Sequence, residues 1–269
     1  KMGLSQLVNT TQHTNTIART NFSSFIRGVK DSLTTGGRDF VIRAINLTDD
    51  VQRDLMQTLS EGQIAGKFLK WTGFTGVENF NRVVATNSGK YFAIEQLETL
   101  LKNPQNKFAR RQLIDIIPGI DIDTVITRGY LTEKELLKAG YIVNKETQFL
   151  YRIEDLPLKW RDSPMMKVAT QFKAFVVQQG GFIKEHIVKE LLRGNPKPLL
   201  SFVAMSELMG EAVQDVRSLI TGRERPKGII GRLMDNILVV GLAGISIDIV
   251  QSALRGTHSL YQWIAGPTI

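Results

Sequence analysis

The sequence predicts an all-α protein, an irregular multi-helix assembly with one long amphipathic helix and a C-terminal apolar helical hairpin. Three observations predict it. Apolar residues recur at intervals of three and four along most of the chain, the period of a single helix face. Thr132-Glu133-Lys134-Glu135 spells a capping box, a sequence signal for a helix start. The stretch from Pro164 to Arg193 contains no further proline and carries the longest run of helix-spaced apolar residues.

The elements follow in chain order. Asn9 to Thr16 is rich in Thr, Asn and Gln and reads as a polar junction. Phe22, Phe25, Ile26 and Val29 define a helix over 21–29, and Phe40, Val41, Ala44 and Ile45 one over 39–45. Gly36-Gly37-Arg38 between them reads as a helix-joining turn. Thr48-Asp49-Asp50 is a helix start before Val51, Leu55, Met56 and Leu59. Short helices follow over 64–71, 77–86, 91–102 and 106–117. Pro118-Gly119 breaks the chain. The capping box opens a helix at Glu133 that should end near Gly140. Residues 141–163, with Tyr141, Phe149, Tyr151, Pro157 and Trp160, read as an extended or looping strap.

Ser163-Pro164 then opens the long helix, with proline at the first helical position. Met165, Val168, Ala169, Phe172, Phe175, Val176, Ile183, Ile187 and Leu191 form its apolar face. Lys167, Lys173, Lys184, Lys189 and Arg193 lie opposite. Gly180-Gly181 inside it would kink it or admit a close neighbour. Apolar helices over 199–221 and 229–255 complete the chain. Three regions result: an N-terminal helical region 1–117, a loop-rich connection 118–163, and a C-terminal region 164–269.

Composition narrows the chemistry. The chain has 269 residues, 42% hydrophobic and 22% charged, enough for a packed core and too apolar for disorder. It has no cysteine, which excludes disulfides, thiolate-ligated metals and thiol nucleophiles. The only histidines, His13, His186 and His258, are far apart in sequence. Lys and Arg number 34 against 26 Asp and Glu, a net charge of +8. The excess is diffuse: residues 1–130 hold 16 basic and 12 acidic groups, residues 131–269 hold 18 and 14. A diffuse positive charge favours loose contact with nucleic acid or anionic lipid. The opening Lys1-Met2 reads as a fragment, a processed product or the ordered part of a longer chain, and the opening segment does not read as a secretory leader.

Candidate sites are few. Asp121 and Asp123 can share one face and hold a cation, or can cap a helix. Glu207 and Glu211, one turn apart on an apolar helix, read as a buried pair with a basic partner or as groups facing a polar channel. His186, with Glu185 and Glu190, reads as part of a solvated helix face. Arg110-Arg111 and Arg223-Glu224-Arg225 are small basic spots, and Phe108 beside Arg110 can stack a base. Phosphate-binding glycine loops and nucleophile elbows are absent from the sequence. No catalytic, cofactor or metal residue is assigned, and the chain does not read as an enzyme. The 11-residue apolar run Ile237–Ile247, bounded by Asp235 and Asp248, is shorter than the roughly 20 residues a bilayer needs.

A string of residues carries a family likeness. It runs through Trp71-Thr72-Gly73-Phe74 to Phe80-Asn81-Arg82, Arg128-Gly129-Tyr130-Leu131-Thr132 and Thr147-Gln148-Phe149-Leu150-Tyr151. It continues through Asp155-Leu156-Pro157-Leu158-Lys159-Trp160, Ser163-Pro164, Thr170-Gln171-Phe172-Lys173-Ala174-Phe175 and Gly210-Glu211, to Gly222-Arg223-Glu224-Arg225-Pro226. Over about residues 64–226 the chain resembles the C-terminal helical region of the large polyvalent, internal virion or ejection proteins of tailed bacteriophages. The resemblance implies a structural component of the virion interior that travels with the genome and reaches the host envelope after ejection. The partners it implies are other copies of the chain, other virion proteins, DNA through phosphate contacts, and a host membrane through residues 199–255. No cofactor is implied. Phe172, Phe175, Ile183 and Ile187 are then interface or core residues, and Lys173, Lys184 and Lys189 the polar contact face. Two rival readings are a membrane-inserting pore or anchor and a non-sequence-specific nucleic-acid-binding module.

Overall fold

The computed structural model describes residues 12–46, 74–148, 178–221 and 228–237. Helix accounts for 84% of them, and none lies in a strand. The expected all-α class is therefore observed. The chain divides into two units, Asn15–Gln148 and the remainder, Lys1–Thr14 with Phe149–Ile269.

In the first unit the elements are α1 (His13–Arg19, whose first two residues fall to the other unit), α2 (Phe22–Ser32), α3 (Thr35–Asn46), α4 (Phe74–Lys102), α5 (Lys107–Ile116), α6 (Ile122–Arg128) and α7 (Glu133–Thr147). The 29-residue α4 is the axis of this unit, with α2, α3, α5, α6 and α7 packed around it. Its C-terminal half is conventional core: Phe92, Ala93, Leu97 and Leu100 pack with Ala109, Leu113, Ile116, Ile122, Val125 and Val143. Its N-terminal half buries Asn81, Thr86, Asn87 and Ser88 instead. For Thr86, Asn87 and Ser88, backbone carbonyls take side-chain protons. Thr86 Oγ1 donates to Arg82 O at 2.9 Å and Ser88 Oγ to Val84 O at 2.7 Å. Asn87 Nδ2 donates to Val83 O at 3.1 Å and, across the helix pair, to Gly37 O and Ser32 Oγ, both at 3.3 Å.

Small residues let neighbouring helices approach this half closely. A Cβ on Gly140 of α7 would stand 2.7 Å from Thr86 O, and one on Gly89 would stand 2.8 Å from Ala139 O. Expected helix ends at these points are therefore replaced by helix crossings. Residues 77–86 and 91–102 belong to one helix, because Asn87-Ser88-Gly89 is a packing surface rather than a break. The helix opened by Thr132 continues beyond Gly140 to Thr147. Its extension replaces the first residues of the expected strap and buries Tyr141, Val143, Asn144 and Thr147. Gly36-Gly37-Arg38 also lies inside a helix, α3, whose Gly37 sits against the Asp31 carbonyl.

The expected polar junction is likewise corrected in part: α1 forms over His13–Arg19, and its Thr16 is buried with a hydroxyl contact to Thr147 at 3.3 Å. Polar composition misleads here, because the Thr16 hydroxyl finds partners inside the unit, the Thr147 hydroxyl and the Gln148 amide. Two local signals act as expected. Thr132 and Glu135 complete the capping box, and Gly119 adopts a positive φ of 83° after α5. Gly129, which no expectation singled out as a turn, takes φ 76° at the end of α6. Glycine takes these angles without strain.

In the second unit a π-helical turn, Ile183–Val188, leads into α8 (Lys189–Leu192), α9 (Lys197–Thr221) and α10 (Ile229–Ile237). α9 packs on the π-turn, on α8 and on α10. Among the described residues no helix is long and apolar enough to cross a membrane. The helices expected at 48–59 and 64–71, the strap beyond Gln148, the start of the long helix at Pro164 and the apolar run beyond Ile237 lie outside the described residues.

Candidate functional site

The surface around α9 is assembled from the end of the expected long helix. At Lys189 the backbone N–H bonds to Lys184 O, five residues back, so one extra residue is accommodated in the turn. The four-residue series of apolar positions consequently slips. Phe182 and Ile187 are buried and Ile183 is half-buried, but Leu191, the next expected member of the apolar face, is exposed and Glu190 is buried in its stead. A solvated face for Glu190 is thus corrected by the π-turn. Among the described residues none lies within 4 Å of a Cβ position on Gly180 or Gly181, and the irregularity of the helix lies over 183–188.

Glu190 fastens the next connection. Its carboxylate accepts from Arg193 Nη1 at 3.2 Å and Asn195 Nδ2 at 2.9 Å, and its carbonyl accepts from Asn195 N at 2.9 Å. Gly194, with φ 82°, turns the chain between them. Asn195 Oδ1 then accepts from Lys197 N at 3.4 Å, which sets where α9 begins.

One face of α9 is core: Phe202, Met205, Ser206, Gly210, Val213 and Gln214 are buried. α10 crosses at Gly210, where a Cβ would stand 2.6 Å from Asn236 Cβ. Asn236 Nδ2 donates to Glu211 Oε2 at 2.7 Å, and Arg232 Nη1 lies 3.5 Å from Glu211 Oε1. Glu211 thus has a basic partner, but the pair is not the buried one that the sequence suggested: Glu211 is half-buried and Arg232 exposed. The opposite face is exposed yet still apolar: Leu200, Ala204, Leu208 and Ala212 lie outward at four-residue spacing. Leu200 and Leu208 are 64% and 62% accessible, Leu192 82% and Ile230 79%. Large Leu200 and Leu208 thus alternate with small Ala204 and Ala212 along an exposed apolar row.

The residues expected to act are distributed as follows. Ile187 is core and Ile183 borders it. Lys184 and Lys189 are exposed, and Lys189 is paired with Glu185 at 2.7 Å, which holds the Glu185 carboxyl below its usual range. His186 lies against the Phe182 ring, with centroids 5.1 Å apart. Phe172, Phe175 and Lys173 fall outside the described residues. The outer row of α9 was not singled out from the sequence, because an i, i+4 pattern of Leu and Ala signals a buried face as readily as an exposed one.

Two further places carry charge. On α5, Phe108 is 44% accessible with the Arg111 guanidinium 5.3 Å from its ring centroid, and Lys107 lies beside it. Arg110 is held by Asp123 at 2.7 Å and by Pro104 O at 2.6 Å. Asp121 caps α6, accepting from Asp123 N, Thr124 N and, at 2.6 Å, Thr124 Oγ1. The Thr124 bonds lower the Asp121 pKa. The two aspartates are therefore a cap and an ion-pair member, and no group of three potential metal ligands occurs among the described residues. In the interior of the first unit, Arg19 Nε donates to Glu146 Oε2 at 2.5 Å and Nη1 to Gln112 Oε1 at 3.0 Å.

No family model matches the chain, no curated protein is significantly similar to it, and no solved structure matches it.

Proposed function

We propose that this chain is a helical structural segment of an internal virion protein of a tailed bacteriophage. It packs with other copies and with portal-proximal proteins, lies in the virion interior, and accompanies DNA to the host envelope. The proposal combines the residue-level likeness over 64–226 with one structural observation, the aliphatic row on the outside of α9. Side chains such as Leu200 and Leu208 recover about 25 cal/mol per Å2 when a partner covers them. The work of the chain is then assembly, not turnover.

The test is mass spectrometry of tailed particles produced by a strain that carries this sequence, before and after ejection is triggered. Peptides of this chain belong in filled particles and are depleted from emptied ones. Their absence from filled particles contradicts the proposal.

A second reading, non-specific DNA contact, is favoured by α5. Exposed Lys107 offers a phosphate contact beside a half-exposed ring that can stack on a base, with the Arg111 guanidinium set against that ring. Duplex or single-stranded DNA binding should fall steeply with salt, and Arg111→Ala with Phe108→Ala should weaken it. Binding unchanged in that double variant contradicts this reading.

A further inference from the structure

We infer that the outer face of α9 is an interface between two copies of this chain, paired antiparallel about a two-fold axis at the level of Ser206. The inference rests on the assembly reading above and specifies its first contact. Its basis is the order of side chains along the face. Exposed positions run Lys197, Leu200, Ala204, Leu208, Ala212, Asp215. Reversing the helix about residue 206, with the two axes crossed by about 50° so that the inclined four-residue rows overlie, superimposes this row on a complementary one. Leu200 meets Ala212 of the second copy, Ala204 meets Leu208, and Lys197 meets Asp215. Each large side chain faces a small one, so two rods can interdigitate without overlap. The two-fold operation repeats every contact, which is the self-complementarity an isologous interface requires. A parallel arrangement would set Leu on Leu, Lys197 on Lys197 and Asp215 on Asp215.

The flanking charge argues for a protein partner over a lipid surface. Membrane-seating faces are bordered mainly by Lys and Arg. This face is bordered by both signs: Glu207, Glu211 and Asp215, with Arg232 beside Glu211 and Lys197 at its N-terminal end. One helix face is less than the roughly 800 Å2 per partner of a standard stable complex. The pair should therefore form with a Kd on the order of micromolar and depend on the copies being concentrated together.

The absence of cysteine makes the register directly readable. Full-length chains carrying Leu200→Cys and differently tagged chains carrying Ala212→Cys are mixed at about 100 µM and oxidised with copper phenanthroline. The two sites come within disulfide range only in the antiparallel register. Mixed-tag dimers are expected, with little dimer from Leu200→Cys alone, whose two copies lie about 18 Å apart along the axis. Charge exchange is the second arm. Lys197→Glu should weaken dimerisation about tenfold, and Lys197→Glu with Asp215→Lys should restore it. Preferential linkage of position 200 to itself, or no linkage at all, overturns the inference. So does a double variant no better than the single one. The particle experiment above stands apart from these outcomes, so failure of this face and failure of the virion assignment are distinguishable.

Discussion

Gly28 of α2 and Ser88 of α4 meet so closely that a Cβ on Gly28 would stand 2.4 Å from Ser88 Oγ and 2.7 Å from Ser88 N. The contact includes backbone, so side-chain rotation cannot relieve it. Gly28→Ala should destabilise the chain by about 2 kcal/mol, the cost of overpacking exceeding the gain in helix propensity. Gly181→Ala, where no described residue lies within 4 Å of a Cβ, is the control and should be neutral or stabilising by up to about 1 kcal/mol. Urea unfolding midpoints of the two variants make the comparison.

Arg19 and Glu146 differ in what they leave behind. The Arg19 side chain is 3% accessible and that of Glu146 25%. Removing the carboxylate strands a guanidinium in the interior, whereas removing Arg19 leaves a carboxylate that water reaches. Glu146→Gln should therefore cost about 2 kcal/mol and exceed the cost of Arg19→Met. Equal or reversed losses in denaturant titrations would refute this ordering.

Burial lowers the His13 pKa from 6.5 to about 4. The unfolded chain then binds a proton that the folded chain refuses between these values. Stability is full above pH 6.5 and is lost as the pH falls toward 4. Between pH 7.5 and pH 5.5 the loss should be about 1 kcal/mol, and His13→Gln should remove most of that slope. The carboxylates held below their usual range, Asp121 and Glu135, contribute stability that is lost at lower pH. For Glu135 burial opposes ionisation, but the Thr132 donors and Arg128 outweigh it. A slope unchanged in His13→Gln between pH 7.5 and 5.5 would rule out the histidine as its source.

Legibility in the sequence followed the range of the interactions. The capping box at Thr132, the turn at Gly119 and the cap at Asp121 depend on neighbours within a few residues, and the sequence announces them. Gly89, Gly140 and Asn87 depend on helices distant in sequence. Their residue types suggest breaks, and only packing reveals crossings. The π-turn at 183–188 shifts every later residue around the axis, so a regular 3.6-residue period assigns Glu190 and Leu191 to the wrong faces. The exposed row on α9 has a core-like composition, and exposure is a property of the assembled unit.

The most direct measurement is sedimentation velocity of the full chain from about 1 to 200 µM, for the native sequence and for Leu208→Asp. Leu208 is exposed, so the substitution should leave the unfolding midpoint within about 0.5 kcal/mol of the native value. The native chain should shift reversibly from monomer to dimer across that range, and Leu208→Asp should remain monomeric. A native chain that is monomeric throughout, or a Leu208→Asp variant that dimerises equally well, would contradict an assembly role for the outer face of α9.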